Sequence, residues 1–265
     1  MRIDAGVRVA VAPGAANQAS GAAALAGVCF VLWLTFSLGF HRTPLAERAG
    51  YDTSPPTAAE LRALAGDLLD ETNAARRDVQ EDGDGVMRFN DDTRQGLGGV
   101  RRGFERAAQI QETIATGYVG RIKELPLSSG LMTRAGVSGL FVTLTGEPGV
   151  NPELPAAALA FTACHQAAHQ IGWAREEEAG FAGYLACRLH PDADFRYAAR
   201  LAALRASLKA LARVDLPASV GLMKRRSLAV VRDWEAIDRN PGRVTWLADL
   251  GSRANDAYLR SQGQK

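Results

Sequence analysis

Twenty consecutive residues, Gly21 to Phe40 (GAAALAGVCFVLWLTFSLGF), carry no charge. At about 1.5 Å of rise per residue, such a run makes a helix roughly 30 Å long, the thickness of a bilayer's hydrocarbon core. It must be a membrane span, a cleaved signal peptide or a helix buried in a core. The run is longer than a typical signal h-region, and FHRTPLAER after it offers no small-x-small cleavage site. The expectation is an uncleaved, single-pass transmembrane anchor over 21–40, in contact with the lipid bilayer. Residues 1–20 then read as a flexible tail, 41–56 as an extended linker in which Pro55-Pro56 forbids helix, and 57–265 as one folded domain. The flanking arginines nearly balance, Arg2 and Arg8 against Arg42 and Arg48. The short tail tips the orientation towards tail inside and domain outside the cytoplasm.

The remaining sequence is rich in Ala, Leu, Arg and Glu and poor in β-branched runs. That composition predicts a mainly α fold with a small β element, an α+β domain. Net charge is only +2 and the two signs are interspersed, so no nucleic-acid partner is expected. Of the three cysteines, Cys29 lies in the apolar run, while Cys164 and Cys187 read as buried free thiols.

Thr57 and Glu60 have capping-box spacing at the head of a helix whose apolar stripe is Leu61, Leu64, Leu68 and Leu69. EDGDGVMRFNDD fails the calcium-loop pattern, because Val86 stands where an oxygen ligand is needed, Met87 where the glycine is and Thr93 where the glutamate is; an acidic turn remains. A further helix is expected over about 96–120. From Leu140 to Thr145 side chains alternate, and GEPG closes the run, so 140–145 is the best strand. Helices follow over 155–172 and 176–190, then helical sequence to about 261 with breaks at Pro217 and Pro241. Leu201, Leu204, Leu208 and Leu211 form one stripe, for a core or a membrane surface. His41 and His190 read as structural, His190 at a helix end.

Within the 155–172 helix, His165 and His169 stand four apart and therefore share a face, where two imidazoles can meet one metal ion. Isolated, this spacing is weak evidence, since a buried hydrogen-bonded histidine pair is the plainer account. Context strengthens it. Gly172 can end the helix, and Glu176, Glu177 and Glu178 follow; two histidines and a carboxylate form a hydrolytic zinc set.

Two tracts, LMTRAGVSGLFVTLTGEPGVN and FTACHQAAHQIGWAREEEAGFAGYLAC, make the chain similar to an uncharacterised bacterial membrane family, domain of unknown function 3810. That family pairs N-terminal membrane helices with an HExxH domain. Weaker agreement runs through FHRTPLAER, the 58–87 region and ANDAYLRSQGQ, covering most of 33–264. The resemblance implies a zincin-like helical domain of the gluzincin kind, a metallopeptidase that cleaves peptide bonds with zinc-activated water. In an ExxA[DN] element the first glutamate is the third zinc ligand. Here that points to Glu176 beside His165 and His169, with Glu177 as the fallback. Gly180 replaces the family's Asn or Asp.

The resemblance also marks a departure. Gln166 occupies the general-base position of HExxH, and an amide cannot accept a proton at neutral pH. Losing a general base costs on the order of 10²–10⁴ in rate. The expected function is a membrane-anchored, zinc-binding metallopeptidase-like protein with impaired or absent hydrolysis. The alternative is a non-catalytic domain that holds a peptide or protein partner in the same cleft. The 140–145 strand would either lie beside the peptide backbone, with Val142, Thr143 and Leu144 in contact, or simply pack within the fold.

Overall fold

The structure is a computed structural model, and it describes residues 13–90, 96–114, 117–142 and 145–239. The first helix, α1, spans Pro13–Phe40, so it begins eight residues before Gly21 and takes in part of the expected tail. Within 21–40, the side chains at 22, 29, 32, 33, 35, 36 and 37 lie outside the described residues. Among the described residues, no helix is long and apolar enough to cross a membrane.

The stretch expected as an extended linker contains a short helix, α2 (Leu45–Ala49), closed by Gly50 in the left-handed region at φ 68°. Leu45 is buried in the main core. Helix α3 (Ala58–Ala75) opens with the expected capping box: the Thr57 hydroxyl accepts from the Glu60 amide, and Glu60 accepts from the Thr57 amide. Its buried face is Ala65, Leu68, Leu69 and Thr72, whereas Leu64 is half exposed. A single 3₁₀ turn (Arg76–Asp78) leads into a hairpin of β1 (Gln80–Glu81) and β2 (Met87–Arg88). The acidic turn closes there, with Asp82 Oδ1 accepting from the amides of Asp84 and Val86.

Helix α4 (Val100–Ile110) is shorter than the expected 96–120. Gly96–Gly99 forms a 3₁₀ turn before it, and Gln111 is extended after it. Thr113 and Ile114 are β-branched and poor helix formers, and Ile114 turns inward to join the core. Helix α5 (Ser129–Ala135) lies between β3 (Lys123–Glu124) and β4 (Gly139–Val142). With β5 (Glu147–Val150) these strands form a small sheet of order β3-β5-β4; β3 is parallel to β5, and β4 is antiparallel to it. The expected strand therefore exists but ends at Val142. Thr143 and Leu144 lie outside the described residues.

Helices α6 (Ala156–Gln170) and α7 (Glu176–Arg188) pack against each other and against α8 (Ala193–Val214). Their contact faces are small: Ala160, Ala163, Cys164, Ala167 and Ala168 on α6, and Ala179, Ala182 and Ala186 on α7, all buried. Gly183 sets the closest approach, since a Cβ there would stand 2.9 Å from His165 Cα. Cys164 and Cys187 are free and buried, as expected. The Leu201-204-208-211 stripe on α8 is core: Leu204, Leu208 and Leu211 meet Leu68 and Leu69 of α3, and Leu201 packs with Met87 and Val230. Asp215 caps α9 (Leu216–Met223), with Pro217 in the first turn, and Ser227 caps α10 (Leu228–Asp238). The break expected at Pro241 lies outside the described residues.

His190 is structural in a specific way. Fully buried, its Nε2–H donates to the Gly99 carbonyl at 2.9 Å, and its Nδ1 accepts from the Asp192 amide at 3.1 Å. Both ring nitrogens are used by the neutral form, and burial pushes its pKa below the ordinary value. The unfolded chain binds that proton more readily, at about 6.5, so stability rises with pH between the depressed folded value and 6.5. Thermal denaturation of the wild type should show stability falling as pH drops below about 6.5. In His190→Gln that part of the pH dependence is expected to disappear; an unchanged profile would contradict the assignment.

Candidate metal centre

The geometry starts with α6. Its i, i+4 spacing brings the rings of His165 and His169 edge to face, with centroids 4.7 Å apart and planes at 89°. Helix α6 ends at Gln170, and Gly172, at φ 102°, reverses the chain in a conformation that L side chains avoid. Four residues later α7 begins at Glu176, facing back across the turn. His165 Nε2 lies 3.1 Å from His169 Nε2 and 3.1 Å from Glu176 Oε2, and His169 Nε2 lies 3.6 Å from Glu176 Oε1. Among the described residues, these three form the one group of metal-competent side chains, with donor atoms all within 4.8 Å of one another. Glu177 is exposed and stands outside the group, and Glu178 is buried and turned to other partners.

The donor set fits a tetrahedral cation. Bonds of about 2.05 Å at tetrahedral angles place neighbouring donors roughly 3.3 Å apart, and the separations here are 3.1 to 3.6 Å. His169 Nδ1 lies 2.7 Å from the Trp173 carbonyl, which can only accept. The proton of the neutral ring is therefore on Nδ1, and Nε2 offers its lone pair to the cluster. Gly180 faces open space, with nothing within 4 Å of where a Cβ would stand. Contact with His165, then with His169, holds the Glu176 carboxyl well below the usual carboxylate range. Its place in the first turn of α7 adds the favourable end of the helix dipole.

Gln166 is buried, and its Oε1 has no hydrogen-bond partner among the described residues. It packs beneath β4: a Cβ on Gly139 would come within 2.8 Å of Gln166 Cγ. An orphaned buried acceptor costs about 1–3 kcal/mol unless something donates to it. The residue that follows His165 thus keeps a buried, unpaired acceptor under β4. Val142 ends that strand, pairing with Glu147.

Several residues around the cluster were not singled out in the sequence. Trp173 supplies the carbonyl for His169, and its indole N–H donates to the Ile114 carbonyl at 3.1 Å. Gln170 accepts from the Gly120 amide and donates to the Gly146 carbonyl, both at 2.8 Å, tying two loops to the end of α6. The adjacency of Trp173 to Gly172 was the available signal for the first. The Gln170 contacts span 50 and 24 residues and have no local signature.

A family profile, "Protein of unknown function (DUF3810)", matches residues 15–265. The chain belongs to that family. The DUF3810 match takes in all but the first two residues of α1 and every later element, and so covers the HQAAH helix and the Glu176 turn together. No curated protein and no solved structure is matched by this DUF3810 chain.

Proposed function

We propose that this DUF3810 protein is a membrane-anchored, zinc-binding domain of the metallopeptidase kind, in which His165, His169 and Glu176 hold the ion. The observation carrying the reading is the convergence of three donors at tetrahedral spacing, with His169 already in the tautomer a ligand needs. A zinc ion in such a set supplies an acidified water and polarises a carbonyl. The chain's own residues do the remainder. Beside the cluster Gln166 can hydrogen-bond a water or an amide but cannot take its proton. Edge strand β4, ending at Val142, offers its backbone to an extended peptide. Leu25, Leu34 and Leu38 are exposed along α1, which supports anchoring in a bilayer.

The buried amide at position 166 also favours a second reading, a non-catalytic module that binds a peptide or protein partner beside the ion. A third account needs no ion: a proton on His165 Nε2 donated to both His169 and Glu176. Metal analysis of the purified full chain separates these. On the order of one zinc per chain, lost in His169→Ala, is expected for a single closed set. A metal-free wild type with unchanged His165→Ala stability would refute the proposal.

A further inference from the structure

The turn between α6 and α7 is held by a segment more than 120 residues away in sequence, the stretch that follows α1. Arg42 Nη1 donates to the Gly172 carbonyl at 3.0 Å, and its guanidinium lies 4.7 Å from the centre of the Trp173 ring. Arg175 Nη2 donates to the Phe40 carbonyl at 2.7 Å. The Leu45 amide donates to Glu178 Oε1 at 2.8 Å, and Arg175 Nη1 donates to the same oxygen at 3.2 Å. Gly39 lets the chains touch, since a Cβ there would fall 2.8 Å from Ala174 Cβ.

These contacts fall on both sides of the residues that orient the candidate ligands. Trp173, between Gly172 and Ala174, carries the carbonyl that fixes the His169 ring. Glu176 lies between Arg175 and Glu178, both tied to 40–45. Glu176 itself is largely exposed, and among the described residues its carboxylate is held by the two histidines. A backbone shift of a few tenths of an ångström at 172–178 would move the carbonyl and the carboxylate together.

We infer that residues 39–48 form a positioning strap for the metal centre, with Arg42, Arg175 and Glu178 as positioning residues that set its zinc affinity. The inference rests on the reading of His165, His169 and Glu176 as that centre. Because the strap continues directly from α1, the placement of that helix and the geometry of the ligand turn are linked.

The test measures zinc affinity of the full chain by competition with a chromophoric chelator, for the wild type, Arg42→Ala, Arg175→Ala and the distal control Arg205→Ala. Residues that orient ligands typically change metal affinity about 10–100-fold. That loss is expected for the two strap variants at unchanged far-ultraviolet circular dichroism, with the control unaltered. Arg42→Lys, which keeps one donor for Gly172, should recover part of it. If Arg42→Ala does not fold, Arg175→Lys carries the test, since it keeps a charge beside Glu178 but shortens the reach to Phe40. A strap that only adds stability would lower the melting temperature of zinc-free protein and leave the affinity as it is; folded variants with wild-type affinity overturn the inference. A wild type that binds no zinc overturns the underlying reading as well, and the two failures are distinct.

Discussion

Gln166→Glu is expected to raise peptide hydrolysis by the zinc-loaded full chain by about 10²–10⁴-fold, the usual contribution of a general base. The substitution is isosteric, so the tight contact beneath Gly139 is kept. The new carboxylate would be buried like the amide it replaces, and burial raises a carboxyl pKa towards neutrality, where a general base works best. It can take a proton from an attacking water and return it to the leaving amine; the amide can do neither. Combining Gln166→Glu with His169→Ala should return the rate to background, which guards against a contaminating peptidase. A zinc-loaded Gln166→Glu protein that cleaves nothing in a broad peptide library would remove the hydrolase reading and leave the binding module.

The second large effect concerns stability and lies away from the cluster. Asp233 of α10 is buried and accepts three hydrogen bonds: from Arg76 Nε at 2.6 Å, the Met87 amide at 2.6 Å and the Tyr197 hydroxyl at 2.5 Å. Arg76, also buried, donates to the Gly85 carbonyl at 3.1 Å. Burial pushes the Tyr197 hydroxyl well up, so it remains a donor. One carboxylate thus joins the 3₁₀ turn after α3, the β1–β2 hairpin, α8 and α10. Asp233→Ala leaves the buried Arg76 guanidinium with only the exposed Glu81 carboxylate, at 3.4 Å, and should destabilise by about 3–5 kcal/mol, against a total of roughly 5–15 kcal/mol for a typical domain. Chemical denaturation of the two proteins measures it. Adding Arg76→Met to Asp233→Ala should restore part of the loss, because the poorly compensated buried charge is then gone. A loss below about 1 kcal/mol, the size of an ordinary hydrogen bond, would show that this network holds nothing together.

What was readable in the sequence follows the range of the interactions involved. The Thr57 cap, the acidic turn at Asp82, the end of α6 near Gly172 and the histidine face depend on neighbours within four residues, and each is where its local chemistry puts it. Choosing Glu176 over Glu177 needed the family likeness, because both lie in the first turn of α7 and only the turn's shape separates them. Helix α4 stops early because Ile114 is drawn into the core and receives the Trp173 indole, a tertiary demand outweighing local helical pattern. Leu64 looked like stripe but faces outward, since Ala65 and Leu68 already fill the contact with α8. The docking of 39–48 on the ligand turn, across more than 120 residues, is invisible to any local pattern.

Zinc-edge X-ray absorption on the loaded full chain examines the coordination shell itself. Two imidazole nitrogens and a carboxylate oxygen at about 2.0–2.2 Å, with a low-mass fourth ligand, are the expected shell. Its imidazole scattering should be roughly halved in His169→Ala, if zinc is retained at all. A shell dominated by sulfur at about 2.3 Å, or one without imidazole, would place the ion elsewhere and contradict the assignment of this centre.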